Sequence, residues 1–168
     1  TFFTIEKFNW GEDIVGYSLG FIGLLAAIVQ GGLIRVIIPK LGNIKSVYFG
    51  MVFYILGLIL ISLAQESWMI FAFAIPLSLG GISGPALQGI MTNNIPDDEQ
   101  GEFQGGMTSL ISLTAIIGPL LMTNLFSYFT SESTYFYFPG APFMLGAVLS
   151  IFGLVIAIKF LSGSKIKY

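Results

Sequence analysis

The sequence predicts an all-α, polytopic transmembrane helix bundle, and three observations carry that reading. Hydrophobic residues fill 55% of the 168 positions and charged residues only 10%, with a mean hydropathy of +0.86. A soluble domain carries about 25% charged residues, so this chain has too little polar surface to cover even one core. Five apolar stretches each come near the ~20 residues needed to cross a hydrocarbon layer of roughly 30 Å. No ten-residue alternating pattern suggests a barrel, and lipid offers unpaired backbone groups no partner, so the stretches are read as helices.

Taken in order, residues 1–9 (TFFTIEKFN) read as the outer end of a preceding helix and its loop. The spans follow at about Ile14–Ile38, Ser46–Leu63, Ile70–Met91, Gly101–Phe126 and Pro139–Leu161. Short connections separate them: L-G-N-I-K, Q-E-S-W, an acidic insert around Asp97, and the Ser/Thr/Tyr-rich T-S-E-S-T-Y-F-Y-F. The chain opens at Thr1 in apolar-rich sequence without a signal-peptide charge pattern. Residues 1–168 are therefore expected to be a partial C-terminal transmembrane domain of something longer.

Direction follows from the basic residues. Arg35, Lys40 and Lys45 surround the first loop, and Lys159, Lys165 and Lys167 flank the C-terminus; these are six of the seven Lys and Arg. Five crossings put both regions on one side, so the first loop, the acidic insert and the C-terminus are expected to be cytoplasmic. Trp10, Trp68 and the Tyr135–Tyr137 cluster then fall at the outer interface, where amphipathic rings belong.

Composition also excludes function classes. A net charge of −2 indicates no nucleic-acid partner, and with no cysteine and no histidine the chain lacks disulfides, thiolate ligands and the commonest general base. An intramembrane enzyme needs a nucleophile–base pair or metal ligands at depth, and no Asp, Glu, Lys or Arg lies deep in any span. No filter-like segment suggests a channel. A channel or scaffold bundle nevertheless stays open as the alternative to a transporter.

Each span carries small residues at helical spacing, which lets membrane helices approach closely. In the fourth, Gly101, Gly105, Thr108, Ser112, Pro119 and Thr123 share an arc of roughly 60°. Prolines 76, 85, 119 and 142 stand beside glycines, which suits helices that bend as well as a static bundle. Gln30, Tyr54, Gln88, Thr108, Ser112, Thr114 and Asn124 supply the polar atoms at depth. The Gln30 amide needs a partner, either a ligand in a cavity or another helix. Gln88 and Gln104, at the cytoplasmic edge, suit hydrogen bonds to loop backbone, and structural roles are favoured for Tyr54 and Asn124.

Asp97, Asp98, Glu99 and Glu102 crowd into six positions. They lack the alternating ligands and central glycine of a calcium loop, so no metal site is expected. Asp97 is instead expected to cap the fourth span, with Gln100 completing a capping-box-like pair. Carboxylates there complement the helix dipole by roughly 0.3–1 kcal/mol each, and Lys40 or Lys45 are available for pairing across the loops.

G-P-A-L-Q-G-I-M-T (84–92), E-Q-G-x-x-Q-G (99–105) and S-L-x-S-L-T-x-I-I-G-P-L-L-M-T (109–123) closely resemble the C-terminal half of tetracycline-resistance-type efflux pumps of the major facilitator superfamily. V-G-Y-S-L-G-F-I-G-L-L, Pro39-Lys40-Leu41-Gly42 and F-P-G-A-P-F agree with it. The resemblance implies the last five of twelve helices in a drug/proton antiporter of a bacterial inner membrane. Its partners would be small amphiphilic substrates, protons, the lipid bilayer and an N-terminal half of the same polypeptide, and no cofactor is implied. It places the first, third and fourth spans on a central cavity and turns the second and fifth toward lipid. Gln30 matches a polar cavity residue, with Thr108 and Ser112 as further cavity candidates. Lys40, Gly42 and Lys45 match part of a cytoplasmic loop motif, whose acidic position is here Pro39. Arg35, Gln88 and Gln104 join them at the cytoplasmic gate. Tetracycline pumps carry an aspartate within the second of these spans, and V-Y-F-G-M-V-F-Y-I-L-G has none.

Overall fold

The computed structural model describes residues 1–131 and 134–163. Lys165 and Lys167, used above for direction, lie outside the described residues. Every regular element described is helical. A short helix α1 (Phe2–Phe8) ends at Asn9, which takes a left-handed conformation at φ 51°; asparagine tolerates that region better than most residues. Gly11 then precedes α2 (Glu12–Ile28), whose acidic first turn faces the positive end of the helix dipole. A π turn (Val29–Leu33) joins α2 directly to α3 (Ile34–Leu41). The combined rod of 30 residues is longer at both ends than the expected span. At 1.5 Å per residue it reaches about 45 Å, beyond the hydrocarbon thickness.

One residue, Gly42, turns the chain from α3 into α4 (Asn43–Leu63). Its φ of 78° and ψ of 160° belong to a region that essentially only glycine occupies. Both its backbone groups are used: its N–H donates to Ile38, and its carbonyl accepts from the Ser46 N–H and hydroxyl. The third rod is α5 (Ser67–Leu79), a 3₁₀ turn (Gly80–Ile82) and α6 (Ser83–Asn93). The fourth and longest is α7 (Gln100–Thr130), and the last is α8 (Ala141–Gly163). Among the described residues, five helical segments are thus long and apolar enough to cross a membrane.

The centre of the bundle is α4. Its Ser46, Val47, Gly50, Ile55, Gly57, Leu58, Ile61 and Ser62 are buried, and it packs on α5, α6, α8 and the 3₁₀ turn. The resemblance implied a lipid-facing second span, and on the opposite face of α4 Val52, Leu56 and Leu63 are exposed. The buried side is held by a row of close contacts on one face. Positions 50, 54 and 57 stand at i, i+4 and i+7. A Cβ on Gly50 would lie 2.5 Å from the Ser83 nitrogen, and one on Gly57 would lie 2.6 Å from the Leu77 Cα. Between them the roles reverse: a Cβ on Gly80 would lie 2.5 Å from the Tyr54 Cβ. At the far end Gly140 meets the Ser62 carbonyl with no room for a side chain, and the Ser62 hydroxyl donates to the Gly140 carbonyl at 3.0 Å.

Two apolar clusters hold the ends. At the Trp10 end, Phe3, Trp10, Ile61, Ala64 and Ile70 are buried together, with Phe8, Phe71, Phe126 and Phe143 against them. Rings there meet edge-on or tilted, among them Phe3 on Phe143 and Trp10 on Phe71, geometries that aromatic quadrupoles favour. The buried Trp10 indole spends its polar end by donating to the Ser67 hydroxyl. At the Gly42 end, Val47, Ala86 and Ile90 pack with Ile38, Ile44 and Leu161. By contrast α7 buries no residue, and of α2 only Ser18 is buried.

These contacts predict unequal costs for two glycine substitutions. Gly57→Ala should destabilise the detergent-purified protein by about 1–3 kcal/mol, because backbone of α5 must move. Gly146→Ala should cost little, since its Cβ would meet only the Leu58 Cδ1 at 3.4 Å. Thermal denaturation followed by circular dichroism separates the two, and equal losses would contradict the packing described.

Candidate functional site

The π turn and the 3₁₀ turn lie at the same level of the bundle and touch each other. Each has an identifiable local cause. Gly31 and Gly32 leave two of the five π-turn positions without side chains, and Gly80 and Gly81 two of the three in the 3₁₀ turn. Both turns depart from the i→i+4 pattern, and such departures recur where helices bend or bind. Beside them opens a cavity of about 400 Å³. Gln30 lines it from the π turn, Tyr54 from α4, and Ser78, Gly80, Gly81 and Ser83 from the other rod, with Ile22, Ala26 and Leu77 completing the apolar wall. None of its lining residues is charged.

Hydrogen bonding distinguishes the lining groups. The Ser83 hydroxyl donates to the Gly80 carbonyl at 2.8 Å. Gln30, Tyr54 and Ser78 have no side-chain hydrogen bond to any described residue. All three border the cavity.

The other sequence candidates lie elsewhere. Thr108 and Ser112 are exposed on α7 and do not border the Gln30 cavity. Their hydroxyls donate to the carbonyls of Gln104 and Thr108, each at 2.8 Å, one turn earlier on their own helix. The Asn124 amide likewise donates to the Leu120 carbonyl. Tyr54, for which a structural role was favoured, borders the cavity as well; its neighbour across the interface, Gly80, is 26 positions away. Arg35, Lys40 and Lys45 are exposed at the Gly42 end and form no ion pair with a described residue, so the expected pairing with the acidic insert is not made. Gln88 is exposed and Gln104 half-buried, and neither side chain bonds loop backbone.

The cap of α7 also differs from the expectation. The helix begins at Gln100 with Glu99 at the cap position, and no side chain caps its N–H groups. A turn through Pro96–Glu99, closed by the Glu99 N–H on the Pro96 carbonyl, moves the start past Asp97. The Gln100 amide still reaches the Asp97 carboxylate at 3.1 Å, a bond between side chains rather than a cap. Glu99 and Glu102 border a second opening of about 480 Å³ over Phe103, Met107 and Leu110. Among the described residues no three acidic side chains converge as a metal-binding set.

Comparison with known proteins now decides the family. The model of the Major Facilitator Superfamily matches residues 1–166. The chain belongs to this superfamily. Among curated relatives, the class C tetracycline resistance protein of Escherichia coli is 35% identical over 144 residues, covering 86% of this chain and 35% of the relative. The class E protein of Escherichia coli is 40% identical over 122 residues, 73% of this chain and 30% of that protein. The class H protein of Pasteurella multocida is 32% identical over 155 residues, 92% of this chain and 38% of that protein. The chain thus spans about a third of the length of these relatives. No solved structure matches it. The superfamily membership agrees with the all-helical membrane bundle.

At the Trp10 end the segment between α7 and α8 is tied down to α1. The Tyr137 hydroxyl donates to a Glu6 carboxylate oxygen at 3.1 Å. Burial raises the Tyr137 phenol above the ordinary value of 10.0, and the bond to Glu6 and its negative charge raise it further. A raised value favours the protonated phenol in the folded protein. The link therefore contributes fully below the ordinary tyrosine pKa and is lost as pH rises through the raised one. In a tyrosine titration followed by carbon-13 NMR, the resonance that disappears in Tyr137→Phe should titrate above pH 10, and Glu6→Gln should lower it. An unchanged value in Glu6→Gln would exclude the contact.

Proposed function

We propose that the chain is the C-terminal part of a bacterial inner-membrane exporter that expels small amphiphilic compounds, tetracycline-like or multidrug, in exchange for protons. It works as a transporter rather than an enzyme. The observation that carries this reading is the cavity at the two helix breaks, in a chain of this superfamily whose curated relatives include several named tetracycline resistance proteins. Membrane transporters bind substrate where regular helix gives way beside a protein-lined cavity, since irregular backbone is tolerated there and not against lipid. Gln30 is the substrate-contacting residue of this reading.

The mechanism follows from which parts are locked. Glycine contacts fasten α4 to α5, α6 and α8, so that block moves as one body. The little-buried faces of α2 and α7 are left for a second helical bundle, the N-terminal half of the same polypeptide, against which this block rocks. Thr108 and Ser112 lie on that α7 face. The Gly42 end, with Arg35, Lys40 and Lys45, faces the cytoplasm together with the C-terminus, following the positive-inside rule. Gln88, Gln104 and the acidic turn then sit at the cytoplasmic gate. Proton coupling rests on carboxylates outside the five spans of this chain.

Inverted vesicles carrying the full-length protein and an imposed proton gradient test the proposal. Tetracycline or another member of an amphiphilic drug panel should accumulate, and a protonophore should abolish the accumulation. Gln30→Ala removes hydrogen bonds worth about 0.5–1.5 kcal/mol each, so it should raise KM roughly 2- to 10-fold with melting temperature unchanged. No uptake of any compound would overturn the exporter reading, and an unchanged profile would return Gln30 to a structural role.

A further inference from the structure

We infer that Tyr54 is a substrate-selecting residue of the same cavity. With Gln30 it recognises solutes through uncharged hydrogen bonds and ring contact, so that this part of the cavity favours neutral aromatic compounds over organic cations. The inference rests on the exporter reading and deepens it.

Placement is the first argument. Tyr54 lies on the α4 face that packs against the other rod, where a large side chain ordinarily has no space. Gly80 provides that space, because any Cβ there would lie 2.5 Å from the Tyr54 Cβ. The ring passes over the glycine and emerges at the cavity, leaving Tyr54 41% exposed on the most buried span of the bundle. The Gly80–Ile82 turn thus serves two purposes: it interrupts the rod, and it seats the tyrosine.

Hydrogen-bond accounting is the second. In a hydrocarbon setting an unmatched polar group is expensive. A serine or threonine on a helix can settle the matter locally, as the hydroxyls of Ser18, Thr108, Ser109, Ser112 and Thr114 do on carbonyls of their own helices. A tyrosine hydroxyl stands at the end of a rigid ring and cannot fold back on its own turn. The Tyr54 phenol has no partner among the described residues, and it shares its cavity with the Gln30 amide, which has none either. Tyr48 is the contrasting case: its hydroxyl is also unmatched, but it is sealed inside the packing, where no solute reaches it.

Charge is the third. No acidic or basic side chain lines the cavity. A permanent cation would leave water for this wall without a counter-charge, whereas a neutral ring with hydroxyl or amide groups matches both Gln30 and Tyr54.

The test uses the full-length protein and two probes: chloramphenicol, a neutral aromatic compound with hydroxyl and amide groups, and tetraphenylphosphonium, a permanent cation. Binding to detergent-purified protein is measured by calorimetry and transport by vesicle uptake. Tyr54→Phe should weaken chloramphenicol binding about 3- to 10-fold and raise its transport KM without changing kcat or melting temperature. Tetraphenylphosphonium should bind more weakly than chloramphenicol and be unaffected by the substitution. Tyr54→Leu should weaken chloramphenicol further, since it removes the ring as well. Unchanged chloramphenicol affinity in Tyr54→Phe, or equal losses for both probes together with a lower melting temperature, would overturn the assignment. Binding without uptake in the wild type would count against export while leaving the Tyr54 comparison intact.

Discussion

The approach of α4 to its neighbours through glycine is the contact on which most of this structure depends. In lipid, apolar side chains gain nothing by leaving one hydrocarbon for another, so helices associate through close packing and a few polar contacts. Gly50 and Gly57 on α4, Gly80 opposite Tyr54 and Gly140 opposite Ser62 bring backbone against backbone or against a Cβ. Each is a place where a methyl group has no room. The row fixes the depth of α4 relative to α5 and α6, and the Ser62–Gly140 bond fixes the start of α8. The same packing seats Tyr54 against Gly80, at the level where the π turn of the neighbouring rod meets the 3₁₀ turn.

A locked block and loosely held flanks are complementary parts of one design. In the α4 block Gly50, Gly57, Gly80 and Gly140 are turned inward and taken up by close contacts. On α7 the arc of Gly101, Gly105, Thr108, Ser112 and Thr123 has little to pack on within this chain, and all five are exposed. Leu110, Leu113, Ile117 and Leu121 are exposed on the other side of the same helix. An amphipathic water-facing helix would show one polar face; this one shows a small face and a large apolar face. On the proposed exporter reading, the large face meets lipid and the small one a second helical bundle.

Much of the fold was legible in the sequence because its signals are one-dimensional. Apolar length, short polar connections and small-residue spacing locate five helices to within a few residues at most ends. The rods ran longer than expected because Pro39, Lys40 and Leu41 continue the helix, leaving Gly42 alone to reverse the chain. Hydropathy does not register that difference; the positive φ of one glycine decides it. The site was legible in part. Gln30 is a conspicuous amide in an apolar run, whereas Tyr54 reads as an ordinary helix residue until Gly80 is found against it. The α7 start misled for a related reason. Asp97 with Gln100 has the spacing of a cap, but the Pro96 turn delays the helix and spends the spacing on a side-chain bond.

The polar groups of this chain sort themselves by reach, and that sorting links fold to function. Several short hydroxyls on helices are silent, because a carbonyl one turn back lies within range and accepts their hydrogen bond, as for Ser18, Thr108 and Ser112. Trp10 and Ser62 find partners on other elements and become staples between them. Gln30 and Tyr54 are too long for the first solution and, at the break in their rods, too far from donors and acceptors for the second. Such groups are costly in a static hydrocarbon core and cheap in a cavity that water and solutes enter in turn. On the proposed exporter reading, a solute held by Gln30 and Tyr54 touches the locked block and the α2–α3 rod together, beside two irregular turns where helix geometry can change.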